Sequence, residues 1–142
     1  MAEPVLSIIA STIAIAGLAY QSTKSLVEFI ESLRDAPKIF AELRGVVQAV
    51  QNILNSIELI LENRDDRSLP HDLRVCLFSA RVPMEDCKMV CEEIEDKLKR
   101  GFHNSAWDGL KANFKEAKIA KFRTRLRDTR DALSLALNLC SM

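Results

Sequence analysis

Apolar residues recur through the first third of the chain in alternating steps of three and four: Leu6, Ile9, Ile13, Ala16, Tyr20, Val27 and Ile30, with Thr23 filling one place. That spacing predicts a helix with a buried stripe. A second stripe, Val5, Ile8, Ile15, Ala19, Leu26, Phe29 and Leu33, runs beside the first, so the helix is apolar over a wide arc and needs more than one neighbour. It is expected to end near Arg34. Asp35 followed by Ala36-Pro37 reads as the start of the next helix, because a carboxylate caps free amide groups and proline is harmless in a first turn. The second helix is expected to run to about Asn63. Its seam of Ile39, Leu43, Val46, Val50, Ile53, Ile57 and Ile60 keeps a heptad, with Phe40, Val47, Leu54 and Leu61 alongside at every seventh place. This is the pattern of bundle packing, antiparallel to the first helix.

After the charged turn 63–67, Ser68 is placed to cap a third helix with Pro70 in its first turn and Leu73, Cys76, Leu77 and Ala80 facing inward. Pro83 lacks the amide hydrogen that would reach the Ser79 carbonyl, so a kink or a restart is expected there, and Glu85 and Asp86 suit a new N-terminus. The continuation buries Cys87, Cys91, Ile94 and Leu98 and is expected to stop at Lys99-Arg100-Gly101. Ser105 and Asp108 resemble a capping box for a last region whose seam is Trp107, Leu110, Phe114, Ile119, Phe122, Leu126, Leu133 and Ala136, with one break expected between 114 and 118. The expected fold is therefore all-α: an up-and-down helical bundle of four to five long helices, the third kinked at Pro83.

Composition agrees with this and narrows it. A chain of 142 residues suits one domain, 1–142, and four glycines with four prolines leave little material for the turns of a sheet protein. The formal net charge is zero, which argues against nucleic acid as a partner, since displacing counterions from phosphates needs a basic surplus. The charge is unevenly spread. Residues 111–130 hold eight basic side chains against Glu116 and Asp128, whereas residues 1–110 carry twelve basic and seventeen acidic ones. One end of the bundle is expected to be positive.

Two features carry candidate chemistry. Residues 4–23 contain no charged side chain, and about twenty helical residues span roughly 30 Å, the thickness of a bilayer's hydrocarbon core. The strong apolar members, Val5, Leu6, Ile8, Ile9, Ile13, Ile15 and Leu18, contribute about 2 to 4 kcal/mol toward insertion. Ser7, Ser11, Thr12, Gln21, Ser22 and Thr23 oppose it, so conditional engagement fits better than a constitutive anchor, while the periodicity by itself favours a plain core helix. The acidic start Met1-Ala2-Glu3-Pro4 lacks the basic region of a secretory signal, so the segment is expected to stay attached. The second feature is the basic run Lys111, Lys115, Lys118, Lys121, Arg123, Arg125, Arg127 and Arg130, with apolar residues between, which suits either an anionic membrane surface or a solvated face pairing with Glu92, Glu93, Glu95 and Asp96. Cys76, Cys87, Cys91 and Cys140 form no Cys-x-x-Cys pair and read as reduced packing residues of a cytoplasmic protein; no metal, cofactor, small-molecule substrate or catalytic constellation is expected.

The segments Leu6-Ser7-Ile8-Ile9-Ala10, Ala16-Gly17-Leu18-Ala19-Tyr20-Gln21-Ser22 and Leu33-Arg34-Asp35-Ala36-Pro37, followed by the 43–57 seam and by Phe122-Arg123 through Leu126 to Ala132-Leu133-Ser134-Leu135-Ala136-Leu137, resemble the HeLo-like domain, also described as the fungal N-terminal domain of STAND (NOD-like receptor) proteins. The resemblance covers nearly the whole chain. It implies a helical bundle that acts in fungal programmed cell death, heterokaryon incompatibility or NLR-type innate immunity. Self-association, driven by an upstream NLR or amyloid-signalling module, would send the N-terminal helix from the cytoplasm to the plasma membrane. The alternative is a soluble protein-interaction or oligomerisation domain whose N-terminal helix stays in the core. The glycine zipper that some members carry in the first helix is represented here by Gly17 alone.

Overall fold

The computed structural model describes residues 7–33, 38–65, 67, 69–102 and 116–141, the side chains of 100–102 and 116–118 apart. Four α-helices, and no strands, occur among the described residues: α1 (Ile8–Ser32), α2 (Lys38–Glu62), α3 (His71–Phe102) and α4 (Glu116–Cys140).

Each helix starts or stops for a local reason. Ser7 caps α1: its hydroxyl oxygen accepts the Ala10 amide hydrogen at 2.8 Å, and its carbonyl accepts from Ser11 at 3.0 Å. Helix one therefore begins three residues after Val5, where the apolar pattern starts. It ends where Leu33 turns extended and its amide reaches back to the Ile30 carbonyl. In α2 the fully buried line is Leu43, Val47, Val50, Leu54, Ile57 and Leu61, while Ile39, Ile53 and Ile60 are only half-buried, so the stripe is rotated slightly toward the companion heptad of Phe40. Pro70 stands just before α3, where its carbonyl accepts from Arg74 at 3.1 Å.

The restart expected at Pro83 does not occur: α3 is a single helix from His71 to Phe102. One missing hydrogen bond is tolerated because Ser79, whose carbonyl loses its partner, faces solvent, while Met84, Cys87 and Cys91 behind it lock the helix into the core. Glu85 and Asp86 are consequently not N-terminal residues. The helix also passes the expected stop at Gly101 by one residue, within the fraying range of a helix end. The capping box of Ser105 and Asp108, the inward residues Trp107, Leu110 and Phe114, and any fifth helix lie outside the described residues. Cys87, Cys91, Ile94, Leu98, Ile119, Phe122, Leu126, Leu133 and Ala136 are all buried, and Thr129 fills the gap in the last seam, its hydroxyl donating to the Arg125 carbonyl.

Helix α1 packs on α2 and α3, and α4 packs on the same two, so the four form a square with α1 and α4 at opposite corners. Side-chain pairs give the directions. Glu31 near the end of α1 meets Arg44 near the start of α2, so these run antiparallel. Ser11 lies by Arg81 and Phe29 by Lys99, so α1 and α3 are parallel. Arg64, just past α2, donates to the Cys140 carbonyl at the end of α4 at 2.7 Å, and Glu42 meets Arg123, so α2 and α4 are parallel too. Successive helices thus alternate in direction, but α2 and α3 are diagonal, with eight residues of chain between them. Eight residues reach far more than the roughly 14 Å diagonal of a square with 10 Å sides.

Candidate functional site

The first half of α1 is held mainly by small side chains. Its buried residues are Ile9, Thr12, Ala16 and Ala19; Ile8, Ile13 and Ile15 are half-buried against the core, and Leu18 is 57% exposed. Val5 and Leu6 lie outside the described residues. The apolar set singled out in the sequence is therefore divided: Ile9 belongs to the core, three isoleucines to its margin, and Leu18 to solvent. Ala10 and Ala14 continue the exposed, uncharged face that Leu18 begins. Among the described residues no helix is long and apolar enough to cross a membrane. The capped start explains part of this, because the uncharged helical stretch 8–23 spans only about 24 Å at 1.5 Å per residue.

Two polar features tie this half-helix down imperfectly. The Thr12 hydroxyl is buried without a hydrogen-bond partner. Arg81 of α3 donates a guanidinium hydrogen to the Ser11 hydroxyl and lies 5.1 Å from the centre of the Phe78 ring, yet its Nε is buried and unpaired. On the α2 side Gly17 leaves room for the Glu58 carboxylate: a Cβ there would lie 3.2 Å from Glu58 Oε1. Burial, helped by repulsion from Glu62, holds the Glu58 pKa above its ordinary value.

The basic run is also divided. Lys111 and Lys115 lie outside the described residues, and Lys118 falls in the first turn of α4. Lys121 and Arg127 are exposed. Arg123 pairs with Glu42 of α2, Arg125 with Asp86 of α3 and Arg130 with its neighbour Asp131. Glu92, Glu93 and Glu95, expected as partners, bind lysines of their own helix instead: Lys88, Lys97 and Lys99. One turn of helix separates each of these pairs, so the local bridge forms before a distant one is needed. Because α1 and α4 occupy opposite corners, the exposed α1 face and the basic α4 face look away from each other.

The chain matches, over residues 2–142, the model of the family described as Pigment biosynthesis cluster protein PigL N-terminal. It belongs to that family. No curated protein and no solved structure matches this PigL N-terminal domain.

Other chemistry in the domain is muted. A polar groove of about 420 Å³ between α1 and α3 is lined by Gln21, Ser22, Ser25, Glu92, Glu95, Asp96 and Lys99. Its acidic side has the wrong sign for an anionic headgroup. Cys87 and Cys91 are buried one turn apart, and their mutual hydrogen bond and burial push the Cys91 thiol well up; burial raises Cys76 and Cys140 as well. Such thiols stay protonated and behave as small apolar groups. Among the described residues no three His, Cys, Asp or Glu side chains converge as a metal site.

A surface that the sequence reading missed lies on the outside of α3. Val75, Phe78, Val82 and Met89 are exposed there, although α3 already buries Leu73, Leu77, Ala80, Met84, Cys87 and Cys91 on its other side. The signal was present as a second set of four-three steps, hidden because one inner seam already explained the helix.

Proposed function

We propose that this domain is a membrane-targeting effector or signalling domain of regulated cell death or NLR-type defence, as the resemblance to HeLo-like domains implies, and that its N-terminal helix engages the plasma membrane after oligomerisation. The observation that carries the reading is the first half of α1: uncharged from residue 8 to 23, held by small side chains and an unpaired buried hydroxyl, with Leu18 already in solvent. The order of events follows from the corners of the square. The exposed Lys121 and Arg127 on α4 meet an anionic surface while α1 faces away, so α1 reaches lipid only by leaving the bundle. Each basic residue near the surface adds about 1 kcal/mol, which makes binding by one copy weak and binding by several linked copies effective.

Flotation with vesicles of phosphatidylcholine containing phosphatidylserine tests this. The domain is expected to float with anionic vesicles and not with neutral ones. The double variant Lys121→Glu/Arg127→Glu, which alters two exposed side chains, is expected to bind at least tenfold more weakly with unchanged circular dichroism. Flotation that is absent at every lipid concentration, or that the double variant retains in full, overturns the proposal.

The second reading is a protein-interaction domain in which α1 never leaves. The burial of Ile9, Thr12, Ala16 and Ala19 favours it, as does the lack, among the described residues, of a helix long and apolar enough to cross a membrane. Absent flotation combined with cooperative unfolding of α1 and α2 together would select this reading.

A further inference from the structure

The outward face of α3 is a second heptad seam. His71, Val75, Phe78, Val82, Glu85, Met89, Glu92 and Asp96 follow one another in strict steps of four and three, and the four large apolar members are 52%, 63%, 70% and 65% exposed. A helix needs one such stripe to hold it in a bundle, and α3 has that stripe on its inner side. A 3.5-residue repeat on the outside fits the grooves of another helix with the same repeat. Beside it runs the uncharged face of α1, Ala10, Ala14 and Leu18, with Ile15, Leu18, Met84 and Met89, and the charged Glu85 and Lys88, lining a groove between the two helices.

We propose that this face pairs with the same face of a second copy of the chain, the two α3 helices running antiparallel. The charges along the seam select that partner. The N-terminal end carries His71, Arg74 and one acid, Asp72; the middle is apolar but for Glu85, with Arg81 and Lys88 beside it; and the C-terminal end carries Glu92, Glu93 and Asp96, of which Glu92 and Glu93 also bridge Lys88 and Lys97 of their own helix. A parallel copy sets acids against acids. An antiparallel copy centred between Val82 and Glu85 sets the acidic end of each copy on the His71 and Arg74 end of the other. It also places Phe78 against Met89, a favourable thioether–aromatic contact. A lipid surface fits less well, because the acidic end of the same face repels anionic headgroups. The contact runs about 38 Å along α3 at 1.5 Å per residue and about 20 Å across two helix spacings. That is roughly 700 Å² per copy, close to the ~800 Å² of a standard interface. The two-fold arrangement is closed, so it stops at a dimer. It leaves both α4 faces outside.

The pairing supplies a surface for the self-association invoked above, yet it requires no membrane, so the two proposals fail separately: a dimer that ignores vesicles refutes only the first, and a monomer that floats refutes only this one. Sedimentation velocity on the free domain tests it. A dimer with a dissociation constant on the order of 10 μM is expected, as befits a modest interface. Val82→Glu, at an exposed position, is expected to leave the helical circular dichroism intact and weaken dimerisation at least thirtyfold. Arg74→Glu and Glu92→Lys are each expected to weaken self-pairing about tenfold, because each places like charges at both ends. An equimolar mixture of the two restores opposite charges at both ends and is expected to pair within about threefold of the unaltered chain. A monomer at several hundred micromolar, or dimerisation undisturbed by Val82→Glu, overturns the proposal, as does a Val82→Glu effect on vesicle binding in a chain that stays monomeric. Failure of the mixture to recover pairing overturns the antiparallel arrangement.

Discussion

Glu58 shows how a single side chain can register the state of its neighbourhood. It sits in α2 across from Gly17, where an alanine Cβ would already be tight against its carboxylate, and burial and Glu62 together raise its pKa. A carboxyl whose folded pKa exceeds its unfolded value binds a proton more readily in the folded chain. Its favourable contribution is therefore fully present below the ordinary carboxylate pKa and is lost as pH rises through the folded value. At neutral pH the charged Glu58 is a small liability at the α1–α2 contact. Glu58→Gln should raise the melting temperature at pH 7 by about 1–2 °C, and the gain should vanish near pH 3.5. A gain that persists unchanged in acid would mean that the effect comes from packing and not from titration. The sequence showed the uncharged stretch around Gly17 plainly, but not that an acid from α2 lies against it, because pairing across helices depends on the rotation of two helices about their axes.

At the level of elements, inner seams were the most legible part of the chain. Leu43, Val50 and Ile57 of α2 and the buried run from Ile119 to Ala136 in α4 lie where their spacing puts them, since a 3.6-residue period leaves one face to bury. Boundaries were less legible. The apolar pattern of α1 continues upstream of Ser7, but the hydroxyl cap at Ser7 sets the helix start, and a cap acts through one side chain that a periodic count ignores. The restart expected at Pro83 failed for a related reason: the local cost of the proline is set against the buried Met84, Cys87 and Cys91, and tertiary packing keeps α3 one helix despite the lost hydrogen bond. Local propensity still matters where packing is silent. Gly45 lies on the exposed side of α2, and a Cβ added there meets nothing within 4 Å. Gly45→Ala should stabilise the domain by about 0.5–1 kcal/mol, read as a higher urea midpoint at unchanged slope. No gain would mean that α2 is already fixed so firmly by its core face that backbone entropy at residue 45 is irrelevant.

Across the whole molecule the four helices are not held equally. α2 buries Phe40, Leu43, Val46, Val47, Val50, Leu54, Ile57 and Leu61, whereas the first half of α1 buries Ile9, Thr12 and two alanines. At about 25 cal/mol per Å² of apolar surface, that difference leaves residues 8–20 with less to lose on opening than α2. The unpaired Thr12 hydroxyl subtracts further, since a buried group without a partner costs about 1–3 kcal/mol. Native-state hydrogen exchange should therefore show amides of residues 8–20 opening before those of α2, as a local event below global unfolding. Thr12→Val keeps the shape and removes the unmet hydroxyl, and should protect those amides about fivefold, the factor that corresponds to roughly 1 kcal/mol. If opening of α1 precedes membrane engagement, the same variant should float less well with anionic vesicles although its basic surface is untouched. Protection that rises without any change in flotation would separate the looseness of α1 from membrane binding. Exchange of residues 8–20 in step with α2 would show that the first helix does not open alone.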